Sequence, residues 1–272
     1  MFPEIISHIS LILTLLAVGG AGGFLSGLLG VGGGIIFVPA LYFTLTTFAP
    51  EAGHVMRVSI GTSTALILAT GASSAFWHHK KGAVDFDIIK SWAPAVVAGV
   101  AVGTYFASTV NGDFLKQLFA SLMLLICVYM AVSKEPHAEA QGHRISKMIQ
   151  RFFAAFVGMI AALLGVGGSI LNIPFMTYMG MSMRKAVGTG GALAVVISLP
   201  AMVGYIMTGW GAQQLPPYSL GYVNWLALLI ILPVSMVLSP IGVNVSHKLP
   251  RNTLRRIFSV VLMIVSLRMF MS

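Results

Sequence analysis

Two stretches decide the fold: Gly30-Val31-Gly32-Gly33-Gly34 and, further on, Gly165-Val166-Gly167-Gly168-Ser169. Each sits between apolar runs, and each is followed five positions after its last residue by a proline, Pro39 and Pro174, so one offset of 135 covers glycines and prolines alike. Near-consecutive glycines of this kind break a helix, because glycine carries the largest backbone entropy cost and freely adopts left-handed geometry.

Working outward, Met56-Arg57 with Gly61-Thr62 matches Met183-Arg184 with Gly188-Thr189 at an offset of 127. Pro94, Gly103, Leu115 and Phe119 match Pro233, Gly242, Leu254 and Phe258 at 139. Ordered anchors with small changes of loop length signal an internal duplication. The expected halves are residues 1–133 and 150–272, joined by a linker over 134–149.

The medium follows from composition. Of 272 residues, 57% are apolar and 8% charged, and mean hydropathy is +0.91, whereas a soluble domain carries about a quarter charged residues. Ten apolar segments, at 5–29, 33–48, 56–77, 88–108, 114–133, 150–165, 168–180, 185–208, 219–245 and 254–271, can be bracketed against the ~20 residues that a span needs. The expectation is an all-α integral membrane protein of eight to ten segments, with short broken or re-entrant helices at the glycine motifs. No basic region precedes the first apolar stretch, so that segment is expected to be retained.

A net charge of +9 would suit nucleic acid if basic residues lined polar faces, but here they fill short breaks between apolar runs. They report orientation. Lys134, Arg144, Lys147 and Arg151 place the linker in the cytoplasm, Arg184-Lys185 and His78 to Lys81 fall on the same side, and residues 209–217 carry no charge. If each glycine cluster is a reversal point, each half has five elements and the halves are inverted. If each is only a kink, the halves have four spans and run parallel; the alternation of charge favours inversion.

A broken helix inside hydrocarbon exposes amides that need protein or a polar cavity, and the helix restarting near Gly33 or Gly168 aims free N–H groups and the positive dipole end at whatever lies there. An oxyanion fits. The candidate binding residues are therefore Gly32, Gly33 and Gly34 in one half and Gly167, Gly168, Ser169 and Asn172 in the other. Close helix packing is the competing explanation for the glycines. Thr62, Ser63 and Thr189 could donate uncharged hydrogen bonds to an anion, or bond back to their own helices. Arg57 and Arg184 could clamp an oxyanion, or serve as interfacial anchors and topology signals. Asn172 has Phe37 as its counterpart, so the site is expected to be asymmetric.

Several classes fall away. Cys127 is the one cysteine, which excludes disulfides within the chain and thiolate metal sites. Glu4, Glu51, Asp85, Asp87, Asp113, Glu135 and Glu139 all map to ends or loops, so no carboxylate relay is visible inside a span. His78 and His79 close the third segment as a charged loop edge. There is no HExxH and no metal-ligand cluster, and Gly71-Ala72-Ser73-Ser74 with His78 offers a nucleophile without a placed base. No enzyme, cofactor or metal is expected.

Through GLLGVGGGIIFVPAL at 27–41, ALLGVGGSILNIPFM at 162–176, RKAVGTGGAL at 184–193 and LPRNTLRRIF at 249–258, the chain resembles the TauE/SafE family of sulfite exporters, also called thiosulfate, sulfite or organosulfonate permeases. The resemblance implies a multi-pass carrier in a prokaryotic plasma (inner) membrane, moving sulfite, thiosulfate, sulfoacetate or a related anion, often outward. Its partners would be that anion and membrane lipid, with no nucleic acid, and a homodimer is left open. An anion channel, or a membrane sensor or scaffold, would share much of this pattern.

Overall fold

The computed structural model describes residues 2–29, 33–132, 145–246 and 251–272. Among them are ten helices: α1 (Phe2–Leu29), α2 (Gly34–Phe48), α3 (Val55–Lys80), α4 (Phe86–Thr109), α5 (Gly112–Val132), α6 (Lys147–Leu164), α7 (Ser169–Tyr178), α8 (Met183–Thr208), α9 (Trp225–Ser246) and α10 (Arg251–Met271). Six of these are long and apolar enough to cross a membrane: α1, α3, α4, α6, α8 and α9. α2 and the described end of α10 are shorter apolar helices.

Local chemistry sets the helix starts. Asp85 caps α4 by accepting from the N–H groups of Asp87 and Ile88, Asn111 caps α5 through Phe114 N–H, and Ser146 caps α6 through Ile149 N–H. The Ser146 cap brings α6 in at Lys147, three residues before the expected apolar segment. The segment expected from residue 219 is not helical at its start. Tyr218 and Gly221 have positive φ, and Ser219–Leu220 (β1) pairs antiparallel with Val223–Asn224 (β2). Asn224 then caps α9 by accepting from Ala227 N–H.

The helices pack as cross-half pairs: α1 on α9, α4 on α6, α3 on α8, and α5 on α10. Glycines permit the closest approaches. A Cβ on Gly23 would lie 2.5 Å from Ser235 Cα, and one on Gly158 would lie 2.5 Å from Val96 O. Under the offsets of 135 and 139, Gly23 maps to Gly158 and Val96 maps to Ser235. One contact is thus made twice, between positions related by these offsets. Likewise Gly61 abuts the carbonyl of Tyr222, and Gly188 abuts that of Ala83, another pair of equivalent positions. Large apolar side chains such as Leu125, Val128, Leu229 and Val237 remain exposed on the periphery, as expected of helices facing lipid.

These approaches leave no room for a methyl group where backbone meets backbone. Gly99→Ala should place its Cβ on the Ala155 carbonyl and lower stability by about 1–3 kcal/mol, as overpacking does. Gly112→Ala, at the open start of α5 with nothing within 4 Å, should instead stabilise by about 0.4–1 kcal/mol. Thermal unfolding in detergent micelles reads both.

Candidate functional site at the broken helices

The chain leaves helical geometry between α6 and α7. Gly165 (φ 64°) and Gly168 (φ 71°) both lie in the left-handed region, where a side chain would be strained. At the corresponding place in the first half, Gly33 (φ 62°) precedes α2; Gly32 lies outside the described residues.

The two sides of the α6–α7 break are treated differently. Carbonyls at its start have partners: Ala161 O accepts from Val166 N–H at 3.1 Å, Ala162 O accepts from the Tyr205 hydroxyl at 2.9 Å, and Gly165 O accepts from the Ser63 hydroxyl at 2.9 Å. The amide side has no such help. Gly168 accepts from Leu171 and Asn172 N–H to begin α7, but no side chain caps the helix, which leaves the N–H groups of Ser169 and Ile170 at its positive end. Gly33 opens α2 in the same uncapped way.

Asn172 lies one turn into α7 and is 1% exposed, yet neither Oδ1 nor Nδ2 has a hydrogen-bond partner. Leaving such groups buried and unsatisfied costs about 1–3 kcal/mol apiece. Side chains on a helix lean toward its N-terminus, and Nδ2 accordingly lies 3.3 Å from where a Gly168 Cβ would be, against the break itself. Phe37, the counterpart, is fully buried, and its ring lies against both Gly22 and Gly33. An aromatic ring thus lies against Gly33, whereas an unpaired carboxamide lies against Gly168.

The other expected residues have local partners. Thr62 Oγ1 accepts from Asn224 N–H at 2.8 Å, and Thr189 Oγ1 accepts from Asp85 N–H at 3.0 Å, so each ties α3 or α8 to the start of a helix in the opposite half. Ser169 donates weakly to Gly190 O at 3.4 Å. Gly34 meets the Gly165 carbonyl and Ile67, and Gly167 meets Ile67 and Ala194, so both glycines serve close packing in this conformation. Arg57 is 7% exposed and holds the end of α4, donating from Nε to Ala107 O at 2.9 Å and from Nη2 to Val110 O. Its guanidinium also bonds His54 Nδ1 and lies 5.7 Å from the centroid of the Tyr222 ring. Burial first, and then the Arg57 charge, hold His54 below the usual imidazole range. Arg184 is exposed. The two arginines therefore do not converge with Asn172 on one pocket.

The cavity beside Gly168 holds about 20 Å³ and is lined by apolar residues including Val157, Ile160 and Leu171, roughly room for one water. A larger groove of about 560 Å³, lined by Phe43, Leu267 and Arg268 among others, lies away from both breaks. Among the described residues no group of three or more His, Cys, Asp or Glu could hold a metal ion.

The family described as sulfite exporter TauE/SafE matches residues 15–269. The chain belongs to that family. A "probable membrane transporter protein" of Haemophilus influenzae is 30% identical over 260 residues, covering 96% of this chain and 98% of the relative. Similarly named proteins of Methanocaldococcus jannaschii and Bacillus subtilis are each 25% identical, covering 94% and 92% of this chain and 94% of either relative. No solved structure matches. This TauE/SafE member is accordingly a multi-pass membrane transporter and not an enzyme.

Tyr205, Asp85 and Asn224 were not singled out from sequence as parts of this region. Asp85 and Asn224 share the 139 offset of Pro94 and Pro233, and both are strong N-cap residue types; that coincidence is the signal by which they could be found. Thr62→Val should leave the buried Asn224 N–H without its acceptor and destabilise by about 1–3 kcal/mol. Thr189→Val should cost less, because the Asp85 N–H is only part-buried. Thermal unfolding in detergent, with Thr→Ser at each position restoring stability, checks the pair.

Proposed function

We propose that the protein is a secondary transporter of sulfite or a related small organosulfur or organic anion, working by alternating access in a prokaryotic inner membrane. One observation carries the reading: the α6–α7 break has its carbonyls satisfied by Tyr205 and Ser63, while its amides and the buried Asn172 carboxamide are left open. Donors without acceptors at a helix N-terminus suit an anion, and secondary transporters build their substrate sites from such broken helices.

Inverted halves, residues 1–133 and 150–272 about a cytoplasmic linker at 134–149, account for the exchange of contacts between α1–α9 and α4–α6 and for the self-pairing of α3 with α8 and of α5 with α10. With five elements per half, the ends bearing Lys80, Lys147 and Arg184 fall on one side. The Thr62–Asn224 and Thr189–Asp85 bonds then lie toward opposite faces, and both are closed in this conformation. Their alternate opening would admit the anion from one side at a time.

Outer closure can be stapled. Gly53 N–H donates to Gln214 O at 2.7 Å across the halves, and a Cβ on Gly53 would lie 3.6 Å from Gln214 Cβ, within the spacing of a disulfide. In a Cys127→Ser background, Gly53→Cys with Gln214→Cys should support sulfite counterflow in proteoliposomes when reduced, lose it on oxidation and regain it with dithiothreitol. Counterflow that persists through quantitative cross-linking contradicts alternating access.

A further inference from the structure

The hydrogen-bonding inventory at the second break is specific about the ligand. Ser169 and Ile170 contribute N–H groups, which donate only. Asn172 adds two more donors from Nδ2 and one acceptor, Oδ1, and exchanging the two ends of the carboxamide leaves that inventory the same. Two carbonyls nearby are already engaged, Gly165 O by Ser63 and Gly190 O by Ser169. Apolar groups, Ile197 Cδ1 and Val157 Cγ1, line the other sides of Gly168. A fully deprotonated oxyanion has acceptors alone. It would satisfy the amides and Nδ2, but would set a negative oxygen against Oδ1 or leave Oδ1 dry.

Resting on the transporter reading above, we propose that Asn172 is the specificity-determining residue and that it selects anions carrying a hydrogen-bond donor of their own. The preferred class is a small monoanion with an O–H or N–H group, such as a singly protonated sulfur oxyanion or a hydroxy- or amino-alkanesulfonate. The donor-free analogue of equal charge is disfavoured. A site built to pair a substrate hydroxyl discriminates against the analogue lacking it more sharply than a hydrophobic pocket discriminates by size. Selection comes from the second half alone, since the Phe37 ring occupies the matching place in the first.

The test compares 2-hydroxyethanesulfonate with ethanesulfonate, which have the same charge and differ by one hydroxyl, as competitors of radiolabelled sulfite uptake into proteoliposomes holding the full chain. Wild-type protein should bind the hydroxylated anion about 10- to 100-fold more tightly. Asn172→Leu, which removes both polar atoms at similar volume, should bring the two inhibition constants together while melting no lower than wild type. Equal inhibition by the two sulfonates in the wild type, or an undiminished preference in Asn172→Leu, overturns the assignment while leaving sulfite transport standing. Wild-type vesicles that take up no more sulfite than protein-free vesicles overturn the underlying transporter reading as well.

Discussion

Peptide groups that leave a helix within an apolar slab must find partners in the protein, in water or in a ligand, because lipid supplies none. The chain meets this constraint unevenly at residues 165–168. Hydroxyls of Tyr205 and Ser63 reach in from α8 and α3 to the carbonyl ends of α6, while Gly168 has no side chain with which to cap α7. What remains is a local excess of donors, together with a buried carboxamide that the fold leaves unpaired. A stably folded protein tolerates such groups where they serve function. The asymmetry between satisfied carbonyls and open amides is what the proposed anion site rests on.

Cross-half pairing is the second consequence of the same design. Glycines at 23 and 158, 135 positions apart, bring backbones together in contacts of the same kind, against Ser235 and Val96. The threonine hydroxyls at 62 and 189 extend that logic, each accepting from the capping residue of a helix in the other half. The two bonds differ in setting, the one at Asn224 being buried and the one at Asp85 part-buried. Arg57 departs from the symmetry. It ties off the carbonyl end of α4 while Arg184, its counterpart in sequence, lies exposed.

Much of this was legible before any coordinates. Apolar runs located the ten helices among the described residues, and the second glycine word located the interruption between α6 and α7, because both depend on local chemistry that a short window of sequence contains. The contrast between Asn172 and Phe37 was equally plain from the duplication. Long-range partners were not. Arg57 reads as an anchor or a clamp until the end of α4, fifty residues away, is seen to lie against it. Thr62 and Thr189 read either as binding hydroxyls or as hydroxyls bonded back to their own helices, and neither reading names Asn224 and Asp85, which donate to them from far along the chain. The β1–β2 pair escaped notice because two-residue strands carry no periodicity, and an apolar run from 219 hides the turn at Gly221.

The most direct measurement is anomalous diffraction at the selenium edge from crystals grown with hydrogen selenite, a heavier analogue of protonated sulfite that keeps both its charge and its O–H donor. The account predicts one selenium peak at the start of α7, within hydrogen-bonding reach of the Ser169 and Ile170 amides and of Asn172. A peak at the Phe37 side of the fold or in the groove by Arg268, with nothing at α7, would contradict it.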